Sequence, residues 1–294
     1  MHPRSEGNQR CFIFQLSVNP RARIFSYTDS RGNLVHHFDL PSRHRQLTII
    51  SDSLVNIDTQ QMVPETMDFA AWNQLQQTVE QEDYWDMLLP SYFARPSPEL
   101  DELAAEIGVT QKDGRSPLAL VKDIAAGVYR SFTYVKKSTA VNSPIEHALR
   151  SRQGVCQDFA HVMITLVRKA QIPCRYVSGY LYHASEIAGH PADGATHAWV
   201  EALLPNVGWI GFDPTINQMV GEQHIRTAVG RDYADVPPTM GTMKGKAQTE
   251  LQVRVRVTPS EAVLPPDEEF ASDEEWSQFL EEDKQSQIEH AQQQ

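Results

Sequence analysis

The chain has little cysteine: three residues in 294, at positions 11, 156 and 174. Thiols so few and so widely spaced exclude a disulfide framework and a Cys-rich zinc module. A reducing, cytoplasmic setting is the expectation, and it also preserves a reactive thiol. No run of 18 apolar residues occurs, and residues 1–8 lack the apolar core of a secretion signal. Neither a membrane-spanning helix nor a leader is therefore expected. A basic stripe is missing too. The net charge is −12, but residues 259–294 hold eleven acidic groups against one lysine, which leaves the remainder near neutral. That excludes an electrostatic surface for nucleic acid and gives 259–294 the composition of a disordered acidic tail. Within the tail, Ser272-Asp273-Glu274-Glu275 reads as a capping box ahead of Trp276, Phe279 and Leu280. The plain reading is a solubilising tail; the sharper one is a docking peptide for a partner, centred on Trp276.

Residues 1–66 alternate and are rich in Ile, Val, Phe and Tyr. Strands are expected at 12–18, 23–27, 34–38, 44–50 and 53–57, with Asp29-Ser30-Arg31-Gly32-Asn33 as a hairpin turn. Residues 67–97 read as a polar and aromatic connector. Helices are expected at 98–107 and at 117–132, the second burying Leu118, Val121, Ile124, Ala125 and Val128. Ser143-Pro144-Ile145-Glu146 predicts a capping box with proline at the first helical position. Residues 175–182 form a strand closed by a long loop at 184–194, and 246–258 end in a strand, 250–257, that returns to the N-terminal sheet.

Asp158 to Ala170 carries apolar groups at Phe159, Val162, Met163, Leu166, Val167 and Ala170. That spacing is a helix with one buried face. Cys156 then falls at its first turn, where unpaired N–H groups and the dipole favour an anion over a neutral thiol. Cys11, in an apolar run, and Cys174, opening a strand, read as small buried hydrophobes. A nucleophile needs a base and a group to orient it. Residues 196–204 and 209–213 read as two strands joined by Pro205-Asn206-Val207-Gly208. Their period of two puts His197, Trp199 and Glu201 on one face, and Trp209, Gly211 and Asp213 on one face of the partner. An antiparallel hairpin would set the Asp213 carboxylate beside the His197 imidazole. On local chemistry alone, His197 is as readily a packed strand histidine and Asp213 a turn initiator.

Three blocks, "SPIEHALRSRQGVCQDFAHVMITLVRKAQIPCRYVSGYL", "HAWVEALLPNVGWIGFDPTIN" and "HIRTAVGRDYADVPP", resemble the bacterial transglutaminase-like family within the papain-like group. The order Cys, His, Asp and the gaps of 41 and 16 residues between them are similar as well. The resemblance implies an α+β fold: a papain-like transglutaminase core at 98–245, its nucleophile helix packed on an antiparallel sheet, behind a β-sandwich-like domain. It implies a triad with Cys156 as nucleophile, His197 as general base and acid, and Asp213 as orienter. Relatives usually begin with further strands, so the N-terminal domain is expected to be shortened.

Gln157, Trp199 and Trp209 are candidates for the substrate or oxyanion site, with the two tryptophans as walls of cleft and core. The 184–194 loop and Gly230-Arg231-Asp232-Tyr233 are candidate linings for the acyl site. No metal or cofactor is expected. His183, His190 and His197 lie seven residues apart across a Gly- and Pro-containing loop, unlike a zinc pattern. His36, His37, His44 and His147 are scattered. His161 lies roughly 140° round the helix from Cys156. The activity expected is thiol-dependent hydrolysis or acyl transfer at a peptide or glutamine-type amide through a Cys156 thioester, with protein transamidation as the alternative. A non-catalytic peptide-binding module on the same fold is the rival class.

Overall fold

The computed structural model describes residues 1–58, 63–81, 84–112, 114–182, 196–244 and 250–260. Four strands open the chain: β1 (Gln9–Asn19), β2 (Ile24–Thr28), β3 (Leu34–Phe38) and β4 (Thr48–Ile57). β1 pairs antiparallel with β4, and β2 with β3, giving two ribbons. The β2–β3 turn forms as expected: Asp29 Oδ1 accepts from the N–H groups of Arg31 and Asn33, and Gly32 takes a left-handed φ of 75°. One expectation is corrected here. Segments 44–50 and 53–57 are not two strands, because β4 runs unbroken through Ser51-Asp52-Ser53. These polar residues look like a break in sequence, but the ribbon is exposed there and does not need an apolar face.

The connector contains a helix that was not expected, α1 (Ala71–Gln81). Its apolar stripe is only Trp72, Leu75 and Val79 among glutamines, and Trp72 and Leu75 are buried. Next come α2 (Pro98–Ile107), capped by Ser97 and stopped by left-handed Gly108, and α3 (Pro117–Ser131), capped by Ser116. Strand β5 (Thr133–Tyr134), helix α4 (Ile145–Ser151) and strand β6 (Gln153–Gly154) lead to α5 (Cys156–Lys169). The capping box expected at Ser143 does not form. Pro144 occupies the N-cap of α4, and Ser143 Oγ accepts from Ala140 N at 2.9 Å.

Helix α5 is buried all round from Asp158 to Arg168, not on one face. Its polar residues are absorbed by neighbouring loops. Arg168 donates to the carbonyls of Met87, Leu89, Cys174 and Arg231 and to Ser91 Oγ. His161 Nε2 accepts from Tyr233 N. Periodicity reports apolar faces, and a face of satisfied polar groups is invisible to it.

Strands β7 (Cys174–Leu181), β8 (His197–Leu204), β9 (Gly208–Asp213), β10 (Gln218–Met219) and β11 (His224–Gly230) form one antiparallel sheet in the order β10-β9-β8-β7-β11. Helix α5 shares its core with Ala198, Val200, Ala202 and Leu204 of β8. The opposite face of the sheet packs Val177, Trp199 and Val229. β11 is an edge strand of this sheet, and the N-terminal segment covers it. The Gln9 side-chain amide donates to Arg226 O at 2.8 Å and accepts from Arg226 N at 2.7 Å. Asn33 does the same to Val229, at 2.9 and 2.8 Å. Two side-chain amides thus occupy backbone positions that an edge otherwise leaves open.

Residues Met1–Val257 make one compact unit and Thr258–Gln294 a second. The strand expected at 250–257 is absent: Val255 makes a lone bridge, and Leu251 and Val253 are exposed. Alternation of Val and Arg supplies strand propensity, but no apolar face receives it. The loop 184–194 and the segment around Trp276 lie outside the described residues. Among the described residues no helix is long and apolar enough to cross a membrane.

Candidate active site

Cys156 is the first residue of α5, half-buried, with Val155 extended as N-cap. The helix start is fixed by Asp158, whose Oδ2 accepts from Val155 N at 2.8 Å and from Thr139 Oγ1 at 2.6 Å. Gly154 is required beside it, since an added Cβ would lie 2.8 Å from Asp158 Cβ. β5 pairs parallel with β6, Tyr134 opposite Gly154, and the segment after Tyr134 meets the first turn of α5 through Thr139 on Asp158 and Val141 on Gln157. Burial pushes both Cys11 and Cys174 up to about 11, and Cys174 is fully buried.

His197 opens β8, where it pairs with Gly179 of β7. β8 and β9 pair with Glu201 opposite Gly211 and Leu203 opposite Trp209, which sets His197, Trp199 and Asp213 on one face. His197 Nε2 lies 2.6 Å from Asp213 Oδ2. With Nε2 engaged by Asp213, Nδ1 is the ring nitrogen left for Cys156, whose thiol is near enough to act electrostatically on the imidazole. Burial alone would lower the imidazole's proton affinity, but the Asp213 carboxylate, aided by Cys156, outweighs it and raises the ring to about 10. Asp213 is fully buried, and burial pushes it up; the two histidines override that and hold it well below the usual carboxylate range. Thr215 N donates to its other oxygen at 2.9 Å.

A residue the sequence reading missed completes the group. His224, the first residue of β11, places Nε2 3.2 Å from the same Asp213 Oδ2. It is buried, and its ring meets Trp199 edge-on at 5.3 Å. The signal available was its place at the head of the third family-like block. Donor atoms of His197, Asp213 and His224 all lie within 4.8 Å. At 2.6 Å, however, the His197–Asp213 spacing is a hydrogen bond, shorter than the roughly 3.3 Å that two ligands keep on one tetrahedral zinc.

The remaining candidates are placed differently from expectation. Trp199 is no cleft wall: it is fully buried, filling the space beside Gly179 and backing the rings of His197 and His224. Trp209 lies four residues up β9 from Asp213, about 13 Å at strand spacing. There Arg175 stacks over it at 4.5 Å and Tyr84 meets its edge. The Gln157 side chain donates to Val141 O at 2.9 Å. Asp232 is buried, accepting from Phe93 N and Ala234 N, so the Gly230–Tyr233 turn is built into the core contacts. His161 stacks on Phe93 at 5.2 Å, and burial lowers it to about 3, neutral and spent on packing. Two tyrosines, Tyr134 and Tyr176, share the core cluster against which Cys156 packs. Burial, followed by the charges at Cys156 and Asp158, raises Tyr134 to about 12, and burial with Cys156 holds Tyr176 well above its ordinary value.

Known proteins share this arrangement of segments. Residues 102–214 match the model of the transglutaminase-like superfamily core, and residues 1–56 match that of the bacterial transglutaminase-like N-terminal region. An uncharacterised protein of Mycobacterium leprae is 33% identical over 257 residues, covering 87% of this chain and 89% of that protein. The chain belongs to the transglutaminase-like superfamily. A protein-glutamine gamma-glutamyltransferase of Pseudomonas aeruginosa is 34% identical over 94 residues, 30% of this chain and 14% of its own length. The crystal structure of a candidate cysteine protease from Cytophaga hutchinsonii superposes with a TM-score of 0.59 at 24% identity, over 81% of this chain and 76% of that one. This superposition shows a shared papain-like, transglutaminase-like fold.

Proposed function

We propose that this transglutaminase-like chain is a cysteine amidase or peptidase that cleaves peptide-type or glutamine-type amides through a thioester on Cys156. The observation that carries the reading is the buried His197–Asp213 hydrogen bond of 2.6 Å, which leaves the other imidazole nitrogen for the Cys156 thiol. Cys156 Sγ attacks the amide carbonyl, and the proton held on His197 Nδ1 passes to the departing amine as the C–N bond breaks. The neutral imidazole then takes a proton from water, which attacks the thioester, and Sγ leaves with the electron pair. Charge on the tetrahedral oxygen requires donors. The Cys156 N–H, at the first helical position with no intrahelical acceptor, is the donor the fold offers.

Transamidation is the second reading, favoured by the similarity to the Pseudomonas gamma-glutamyltransferase over 94 residues. There an amine replaces water in the second half-reaction, and every residue above keeps its role. A binding module would need neither the thiol nor the imidazole.

The test is intact-mass spectrometry after incubation with glutamine-containing peptides, with and without a primary amine. An acyl adduct on Cys156 that turns over to acid supports hydrolysis, and one that turns over to amide supports transamidation. The absence of any adduct across a broad peptide set, with Cys156→Ala indistinguishable from wild type, would sink both.

A further inference from the structure

Asp213 Oδ2 receives two imidazoles, and the second is doing something the triad does not require. The structure fixes the tautomer of His224. Gly221 N–H points at His224 Nδ1 at 3.3 Å, so that nitrogen accepts and the ring proton sits on Nε2, donated to Asp213 Oδ2 at 3.2 Å. A turn holds the ring in place: His224 N donates to Gly221 O at 3.0 Å, and Trp199 supports the ring from the side. Among the described residues, the charged and titratable groups in contact with it are Asp213 and, at 6.3 Å between ring centroids, His197.

We propose that His224 is a positioning residue: its Nε2–H holds the Asp213 carboxylate ionised and aimed at His197, and so sets the geometry of the base. The proposal rests on the reading of Cys156 and His197 given above. A buried carboxylate with a single strong donor can rotate or share that donor's proton. Three donors (His197 and His224 on Oδ2, Thr215 on Oδ1) leave Asp213 no freedom to do either. An ordinary packed histidine would need neither a tautomer fixed by a backbone N–H nor a proton aimed at the triad carboxylate.

The experiment compares full-length wild type, His224→Phe and His224→Gln. Phe keeps the ring volume and removes the donor, while Gln restores an N–H near the Nε2 position. Two quantities are read: the rate of Cys156 alkylation by iodoacetamide across pH, and the position of the low-field His197 Nε2–H proton resonance. Expected for Phe is a loss on the order of tenfold in alkylation at pH 6, the worth of one charge-assisted hydrogen bond, together with a shifted resonance. Gln recovers most of both. Two results overturn the proposal: Phe matching wild type in rate and resonance, or Phe and Gln equally slow with the His197 resonance unmoved. The resonance needs no turnover. Wild-type Cys156 reacting no faster than Cys11 would defeat the proposed function, while the resonance would still report on His224.

Discussion

His197 and Asp213 meet at 2.6 Å because their strands pair with Glu201 opposite Gly211, a register that aligns one face of β8 with one face of β9. The pair is buried, so its strength depends on both partners being ionised. Asp213→Asn retains the shape and removes the charge, and the amide must then present its oxygen to Nε2–H. Expected is a fall in acyl transfer on the order of 10⁴, the loss seen when the orienting aspartate of a triad is made asparagine. Cys156 alkylation at pH 6 should slow with it. Single-turnover kinetics on an activated ester separate this effect from weakened substrate binding.

The same pair makes stability depend on pH. His197 is raised from 6.5 to about 10, so the stability it contributes is fully present below pH 6.5 and is lost as pH rises through about 10. Asp213 is depressed, so its contribution is present above its ordinary 3.8 and is lost only as acid drives the pH well below that value. Urea denaturation of wild type should therefore weaken between pH 7 and pH 10.5 by about 3 kcal/mol, the scale of a broken buried pair. In His197→Gln this alkaline loss should largely vanish. An equal alkaline loss in both proteins would assign it to other groups.

How much of this was legible depended on whether the determinants were local. Cys156 stood out because a helix start can be read from the apolar spacing that follows it, and the His197–Asp213 face from a period of two across a short turn. His224 was not legible in the same way. It reaches Asp213 only because residues 214–223 reverse and deliver β11 to the far side of β7, a topological fact with no local period. Trp199 was misplaced for a related reason. The pattern put it on the face of His197 and Asp213 but could not show that Val177, Val229 and Val220 close over that face. The α1 helix escaped because three apolar residues among glutamines make a weak stripe, and the 250–257 strand was expected because propensity was read without a surface to receive it.

Asp158 links Cys156 to the fold. It caps Val155 N at 2.8 Å and receives Thr139 Oγ1 at 2.6 Å, tying the start of α5 to the segment that follows β5. Asp158→Ala should cost about 1–2 kcal/mol of stability, as lost N-terminal capping does. It should also reduce Cys156 reactivity, because the first turn loses its anchor. Asp158→Asn keeps an acceptor for Val155 N and should recover much of the stability. Thermal unfolding and thiol alkylation measured on the same samples decide the matter, and Ala and Asn variants with equal losses would argue against capping as the cause.

The N-terminal strands are held to the core by amide geometry at β11, where Gln9 and Asn33 each make a donor and an acceptor bond to backbone on a single residue. Glutamate at position 9 would keep the acceptor for Arg226 N but set a carboxylate oxygen against Arg226 O. Two oxygens with no proton between them repel, and a buried unmet acceptor adds a desolvation cost of roughly 1–3 kcal/mol. Gln9→Glu and Asn33→Asp should therefore each destabilise more than the corresponding alanine variants measured alongside them. Because Asn33 holds Val229, five residues along β11 from His224, loosening it should also slow Cys156 alkylation, whereas Gln9→Ala should act mainly on stability. Hydrogen exchange at the Val229 and Arg226 amides reads each clamp directly. Protection lost at Val229 in Asn33→Asp but retained at Arg226 would show that the two clamps act independently, and simultaneous loss at both would show one cooperative edge.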